Sequence, residues 1–288
     1  MSFWKVNRMS NQLLEYIQNE PTLQEMYVDY QKTTKNVGEV ANTYFYRPLA
    51  FPFVKLGQFL HLSPNFFTTL AFISAVVGAI CFSQHWYAWG GFFVLLKQVL
   101  DCVDGSLARL TKKFSKFGAA FDFIGDVVGM ILIMIAIGYS EIQATQDSSI
   151  IVLIVISAVT MAVHVLSYNN VRKRYLEQLN PVPTVPAESF LSRLTPYPNL
   201  LLLEISEQNS ANYSTEDIQA LYRHTFQSIP LLWSIVAGAF AVTWVSVAGF
   251  IGNFNFLWII LLGVNNILLV GLILLQQWKF RQFSKKLA

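Results

Sequence analysis

Charge is what this sequence has least of. Only 13% of its 288 residues are Asp, Glu, Lys or Arg, against 54% hydrophobic, whereas an ordinary soluble domain carries about 25% charged residues. The deficit excludes a soluble globular enzyme and leaves a polytopic membrane protein, one membrane domain with soluble appendages. A net charge of +3 is too small to argue for nucleic acid, which is not expected as a partner. Cysteine is nearly absent. Cys81 and Cys102 both fall in apolar segments, so they read as small core hydrophobes rather than a disulfide or a metal pair. The first forty residues lack an apolar stretch of the kind a cleavable signal peptide has, and the first membrane helix is expected to direct insertion.

What is present is a series of apolar segments. Six, at about 65–83, 87–109, 118–140, 150–168, 229–252 and 254–276, come near the roughly 20 residues a bilayer needs. The fifth and sixth contain no Asp, Glu, Lys or Arg. Before them, residues 1–43 mix polar and apolar side chains. Leu13, Leu14 and Ile17 recur at helical spacing and Pro21 interrupts them, which reads as short amphipathic helices. Residues 44–62 are aromatic and apolar but hold Arg47, Lys55 and two prolines, a composition suited to a helix in the interface plane. The reading is an all-α, six-span integral membrane protein. Residues 1–62 form cytoplasmic and juxtamembrane amphipathic helices, 63–276 the membrane domain with a long loop at 169–228, and 277–288 a basic tail. Ser214, followed by Glu216 and Asp217, marks a helix start within that loop.

Basic residues fix the orientation. Six lie before the first span, four at 109–117, five at 169–228 and four after 276, while the three opposite connections hold none. Positive residues stay inside, so both termini and the 109–117 turn are expected on the cytoplasmic side.

Against this apolar background one stretch stands out. It reads Asp101-Cys-Val-Asp104-Gly105-Ser-Leu-Ala108-Arg109, then eight residues, then Gly118-Ala-Ala-Phe-Asp122-Phe-Ile-Gly-Asp126. Asp101, Asp104, Gly105 and Ala108 share one helical face, and Gly118, Asp122 and Asp126 share a face of the next helix. Two antiparallel helices would point four carboxylates at one another, where they repel unless cations lie between them. Charges in a span cost several kcal/mol each, which argues against a merely structural cluster. Oxygen-only ligands suit hard ions such as Mg²⁺, Mn²⁺ or Ca²⁺. The bland alternative is a set of salt bridges to Lys97, Arg109 and Lys112, and Lys97 stands one turn before Asp101. One lysine cannot neutralise the other three carboxylates. Gly105 and Ala108 would admit either a planar ligand or a tightly packed helix. Arg109 is either a bidentate phosphate holder or an interfacial anchor.

The pattern Asp-x-x-Asp-Gly-x-x-Ala-Arg-x8-Gly-x3-Asp-x3-Asp resembles the signature of the CDP-alcohol phosphotransferases at every defined position, over Asp101 to Asp126. Ser63-Pro64-Asn65-x-x-Thr68 extends the resemblance more weakly upstream. It implies transfer of a substituted phosphate from a CDP-alcohol to an alcohol acceptor with release of CMP, in phospholipid synthesis, by a homodimer using Mg²⁺ or Mn²⁺. It assigns Asp101, Asp104 and Asp122 to metal, and Asp126 to a base role with possible metal contact. It places the donor among Asn65, Thr68, Asp104, Gly105, Ala108, Arg109 and Gly118. His164 is a second base candidate, though a lone membrane histidine is more often a packing residue. Arg47-Pro48 faintly resembles members that use CDP-diacylglycerol. The alternatives are an aminoalcohol phosphotransferase acting on diacylglycerol and, from another class, a divalent-cation transporter. A cation path has no reason for the Gly-x-x-Ala-Arg insert. A bacterial inner membrane is the expected location.

Overall fold

The computed structural model describes residues 25–28, 30, 38–112, 116–179 and 215–287. They are helical almost throughout, and no strand occurs among the described residues. The chain divides into two units, Met1–Asn36 and Val37–Ala288. In the first, residues 25–28 make a helical turn and the rings of Tyr27 and Tyr30 stack with centroids 6.2 Å apart. The helix expected around Leu13, Leu14 and Ile17 lies outside the described residues.

The second unit opens with a π-helical turn, Asn42–Tyr46, that runs into α1 (Arg47–Phe59). Pro48 sits in the first turn of α1, where its missing N–H breaks no hydrogen bond. Ala50, Val54 and Gly57 are buried, whereas Leu49, Phe53, Leu56 and Phe59 stay exposed. A helix with one packed face and one open apolar face suits the membrane interface, as its composition implied.

Four long helices follow. In α2 (Pro64–Ser83) the Ser63 hydroxyl accepts the Phe66 N–H at 3.3 Å, and Pro64 takes the first helical position, a strong start signal. Then come α3 (Tyr87–Thr111), α4 (Lys116–Thr145) and α5 (Ile150–Leu179). α5 runs eleven residues beyond the end expected at 168. The stretch from Asn169 to Leu179 is polar rather than helix-breaking, and a Lys173–Glu177 pair one turn apart, at 3.7 Å, supports it. The loop expected at 169–228 is therefore helical at both ends. Its other end is α6 (Thr215–Phe226), which starts one residue after Ser214, itself outside the described residues.

The last two expected spans are not continuous helices. The fifth is α7 (Ile229–Trp233), a 3-10 turn (Ser234–Val236), an extended Ala237 with ψ 176°, and α8 (Gly238–Ile251). The sixth is α9 (Asn255–Trp258), a π segment (Ile259–Val264) and α10 (Asn265–Leu287), which carries on through most of the expected tail. A break inside a membrane helix frees N–H groups that lipid cannot satisfy. Here the segment preceding α1 supplies one acceptor and in turn donates to the break. The Ala239 N–H donates to the Glu39 carboxylate at 2.8 Å, and the Val40 N–H donates to Ser234 Oγ at 3.0 Å. Burial pushes the Glu39 carboxyl above its usual range, while the Ala239 N–H and nearby Arg172 act in the opposite direction.

By length and apolar composition five helical segments can cross a bilayer: Pro64–Ser83, Gly118–Thr145, Ile150–Leu179, Asp217–Ile251 and Asn255–Lys286. α3 is 25 residues long but carries Lys97, Asp101, Asp104 and Arg109, so of the six expected spans the one that bears the motif is not among these five. The chain is an all-α integral membrane protein.

α3 lies at the centre, packed against α1, α2 and α8, and α2 also packs on α4. One apolar core joins Phe82, Val94, Ile137, Val245 and Leu257. A second joins Tyr168, Tyr222, Phe226, Trp233 and Phe283 from α5, α6, α7 and α10. Where α3 crosses α8 the backbones touch. A Cβ on Gly91 would lie 2.5 Å from the Ser246 carbonyl oxygen, and one on Gly249 would lie 2.9 Å from Gly91 Cα. Glycine–glycine contact of this kind is how membrane helices approach closely. Gly91→Ala should therefore destabilise the bundle by about 1–3 kcal/mol through overpacking, read as a lower unfolding temperature in detergent. Gly271→Ala, where nothing lies within 4 Å, should not; equal unfolding temperatures for the two would refute the crossing.

Candidate metal centre

Two helical turns of α3 and two of α4 build the site. Asp101 and Asp104 stand one turn apart on α3, as Asp122 and Asp126 do on α4, so antiparallel packing brings the carboxylates together. Asp101, Asp122 and Asp126 each offer an oxygen, and these atoms all lie within 4.8 Å of one another. Asp104 stands deeper and outside that trio, 5% exposed, yet close enough to Asp122 and Asp126 to interact with both.

Each of three carboxylates has a partner built in. Thr68 Oγ1, from the start of α2, donates to Asp104 Oδ2 at 2.6 Å. Gln98 Nε2 donates to Asp101 Oδ2 at 3.3 Å and to Asn42 Oδ1 at 3.1 Å, tying Asp101 to the π turn before α1. Cys102 Sγ, 3.5 Å from Asn42 Oδ1, joins the same knot. The Lys97 ammonium is ion-paired with Asp126 on α4. The pairing weighed from sequence, Lys97 with Asp101 along one helix, is thus not the one formed. The lysine's four-carbon stem crosses to the facing helix, where Asp126 points back at it.

The donor set fits a hard divalent ion. It is all oxygen, it is anionic, and one ammonium leaves most of its charge uncompensated. Asp101, Asp122 and Asp126 are the residues placed to hold one, with Asp104 beside them.

Next to the carboxylates the Arg109 guanidinium lies over Gly105. A Cβ at Gly105 would meet Arg109 nitrogens at 3.5 and 3.7 Å and nothing else within 4 Å, and Arg109 also donates to Ser106 Oγ at 3.3 Å. No neighbouring helix presses on Gly105, so close packing is not what the glycine serves there. Ala108 and Gly118 are half-buried. Asn65 is exposed in the first turn of α2, its carbonyl accepting from Thr69 Oγ1 at 2.9 Å. His164 sits elsewhere, buried in α5 away from the carboxylates, with Asn266 of α10 near it. Cys81 and Cys102 are free and buried, as their apolar setting implied. Of the turn lysines, Lys112 is exposed with φ +54°, and Lys113 and Lys116 lie outside the residues whose side chains are described.

Sequence reasoning passed over Asn42, Gln98 and Glu39. The signal for Gln98 was a carboxamide in an otherwise apolar span, one turn before Asp101. Asn42 and Glu39 carried none, because their partners lie far away in the chain. The Thr68 contact makes a testable claim. Thr68→Val should lower metal affinity about tenfold by leaving Asp104 without its donor, and Thr68→Ser should restore it. Calorimetric titration with Mn²⁺ measures both, and equal affinities for wild type and Thr68→Val would remove Thr68 from the site.

A profile of the CDP-alcohol phosphatidyltransferase family matches residues 61–202. A CDP-diacylglycerol–serine O-phosphatidyltransferase of Helicobacter pylori (strain J99) is 36% identical over 69 residues, 24% of this chain and 29% of that protein. A CDP-diacylglycerol–glycerol-3-phosphate 3-phosphatidyltransferase of Cereibacter sphaeroides is 39% identical over 82 residues, 27% of this chain and 37% of the relative. The chain thus spans less than two-fifths of the length of these curated relatives. The profile covers the carboxylates, Thr68, Gly105 and Arg109, so over residues 61–202 this chain is similar to the CDP-alcohol phosphatidyltransferase domain.

Proposed function

We propose that the protein transfers a substituted phosphate from a CDP-alcohol to the hydroxyl of an acceptor alcohol, releasing CMP. The observation that supports this best is the carboxylate trio beside the open face of Gly105 capped by Arg109. A cation pathway needs the first feature and not the second. CDP-diacylglycerol is the favoured donor, because the relatives from both organisms are named for it. A small polar alcohol is then the favoured acceptor.

In this reading Gly105 and Ala108 let the cytidine lie close to α3, with Asn65, Thr68, Asp104 and Gly118 lining the same end. Arg109 holds phosphate oxygens, for which its planar fork is suited. Asp101 and Asp122 hold the divalent ion, Mg²⁺ or Mn²⁺, with Asp126 in reach and Asp104 joining them when donor is bound. When bound, the ion would offset negative charge on the pyrophosphate as it is cleaved. Asp126 takes the proton from the acceptor hydroxyl as its oxygen attacks the phosphorus bearing the lipid alcohol. One P–O bond forms to the acceptor, the P–O bond to CMP breaks, and CMP leaves with the electron pair. The product keeps a phosphodiester.

The test is purified protein in detergent with CDP-diacylglycerol or a CDP-aminoalcohol, a panel of alcohols, and CMP release with and without Mg²⁺ or Mn²⁺. Metal- and acceptor-dependent CMP release from CDP-diacylglycerol is expected. Release from the CDP-aminoalcohol with diacylglycerol would favour that donor class, and none with either would overturn the reading.

We further infer that the site faces the cytoplasm, in a bacterial inner membrane, on the distribution of Lys and Arg. With Cys81 and Cys102 replaced, a cysteine at exposed Ser148, between α4 and α5, should react with an impermeant thiol reagent in intact cells. One at Lys112 should not, and the reverse pattern would invert the topology. A homodimer, implied by the family resemblance, should show as twice the chain mass by native mass spectrometry. A lone chain would exclude it.

A further inference from the structure

We propose that Lys97 is the resident counter-ion of the carboxylate cluster, holding the metal-free site together and limiting how tightly it takes a divalent ion. The inference rests on the metal reading above. Lys97 lies in the middle of α3 and is 7% exposed. A lysine near a span end can send its head along its stem to the interface, but this one turns inward and pairs with Asp126. Asp101 and Asp122 also act on its ammonium, and Glu39 lies within electrostatic range. Its charge is therefore shared by all three carboxylates whose oxygens converge. Neither apolar core includes it.

Two effects of opposite sign follow. Without Lys97 the metal-free cluster has no ammonium to offset four crowded carboxylates, one buried and three half-buried, so the bundle should loosen. An entering divalent ion would meet one positive charge fewer and find Asp126 released, so it should bind more tightly. A lysine that merely packs would give the first effect without the second.

The experiment uses the full chain in detergent with Mn²⁺ alone as probe. Unfolding temperature is measured in chelator and in saturating Mn²⁺, and affinity is measured by electron paramagnetic resonance of free Mn²⁺. For Lys97→Met the dissociation constant for Mn²⁺ should fall on the order of tenfold. Its metal-free unfolding temperature should drop and recover when Mn²⁺ is added, while Lys97→Arg should stay close to wild type. If Lys97→Met does not survive chelator, Lys97→Met combined with Asp126→Asn removes both charges of the pair and should regain metal-free stability. Unchanged or weaker Mn²⁺ binding by folded Lys97→Met, or no rescue in the double variant, overturns the proposal. Wild-type protein that binds no Mn²⁺ would instead overturn the metal reading, and the role of Lys97 with it.

Discussion

Asp122→Asn and Asp104→Asn should each abolish CMP release in a protein that still inserts and folds. Asparagine keeps the size of the side chain and removes one ligand charge, so packing against α2 is retained while the metal loses an anionic donor. An ion that offsets charge on a transferring phosphate is worth several kcal/mol, and about 4 kcal/mol corresponds to roughly a thousandfold in rate. The two positions differ in how they are held. Asp122 belongs to the convergent trio, whereas Asp104 accepts the Thr68 hydroxyl. Loss of activity at Asp104 would therefore show that the fourth carboxylate joins the site when donor is present. The assay is CMP release in excess Mg²⁺, with elution volume and unfolding temperature as evidence of folding. Undiminished release by both variants would remove the metal assignment.

The second large effect separates the base from the ligands. Asp126→Asn should lose turnover by about 10² to 10⁴, the contribution of a general base, and keep its affinity for the CDP-linked donor. Asp101→Asn should lose donor affinity as well, because a metal ligand holds the pyrophosphate before reaction while a base contributes once the acceptor hydroxyl attacks. The structure sharpens the contrast. Asp126 is held by the Lys97 ammonium and Asp101 by the Gln98 amide. Asp126→Asn also strands Lys97 in the cluster, so its metal-dependent donor affinity must be titrated directly rather than inferred from rate. If that affinity falls as far as in Asp101→Asn, Asp126 is chiefly a ligand. His164, buried within the bundle, would then be the next residue to test as base.

The membrane class and the candidate site were legible in the chain for one reason: both are written in local spacing. An apolar run near 20 residues declares a span whatever it packs against, and carboxylates at i, i+3 or i+4 share a helical face whatever the fold. Hence α2 to α5 begin within two residues of the expected positions, and Asp101, Asp122 and Asp126 converge. Hydropathy marks where lipid stops, not where a helix stops, so the continuation of α5 to Leu179 and of α10 to Leu287 was invisible. The break at Ala237 could not be read either. A run without charged residues looks continuous, and the Glu39 carboxylate that takes the Ala239 N–H comes from 200 residues earlier. The partner of each carboxylate was settled the same way. Sequence could offer Lys97 to Asp101 on its own helix. Only the fold, which sets α4 facing α3 and packs α2 and the π turn on α3, decided that Lys97 goes to Asp126, Thr68 to Asp104, and Asn42, through Gln98, to Asp101. Which residues carry the charge was determined by the sequence. Which neighbours restrain it is a matter of distance between helices, and that exists only in the folded bundle.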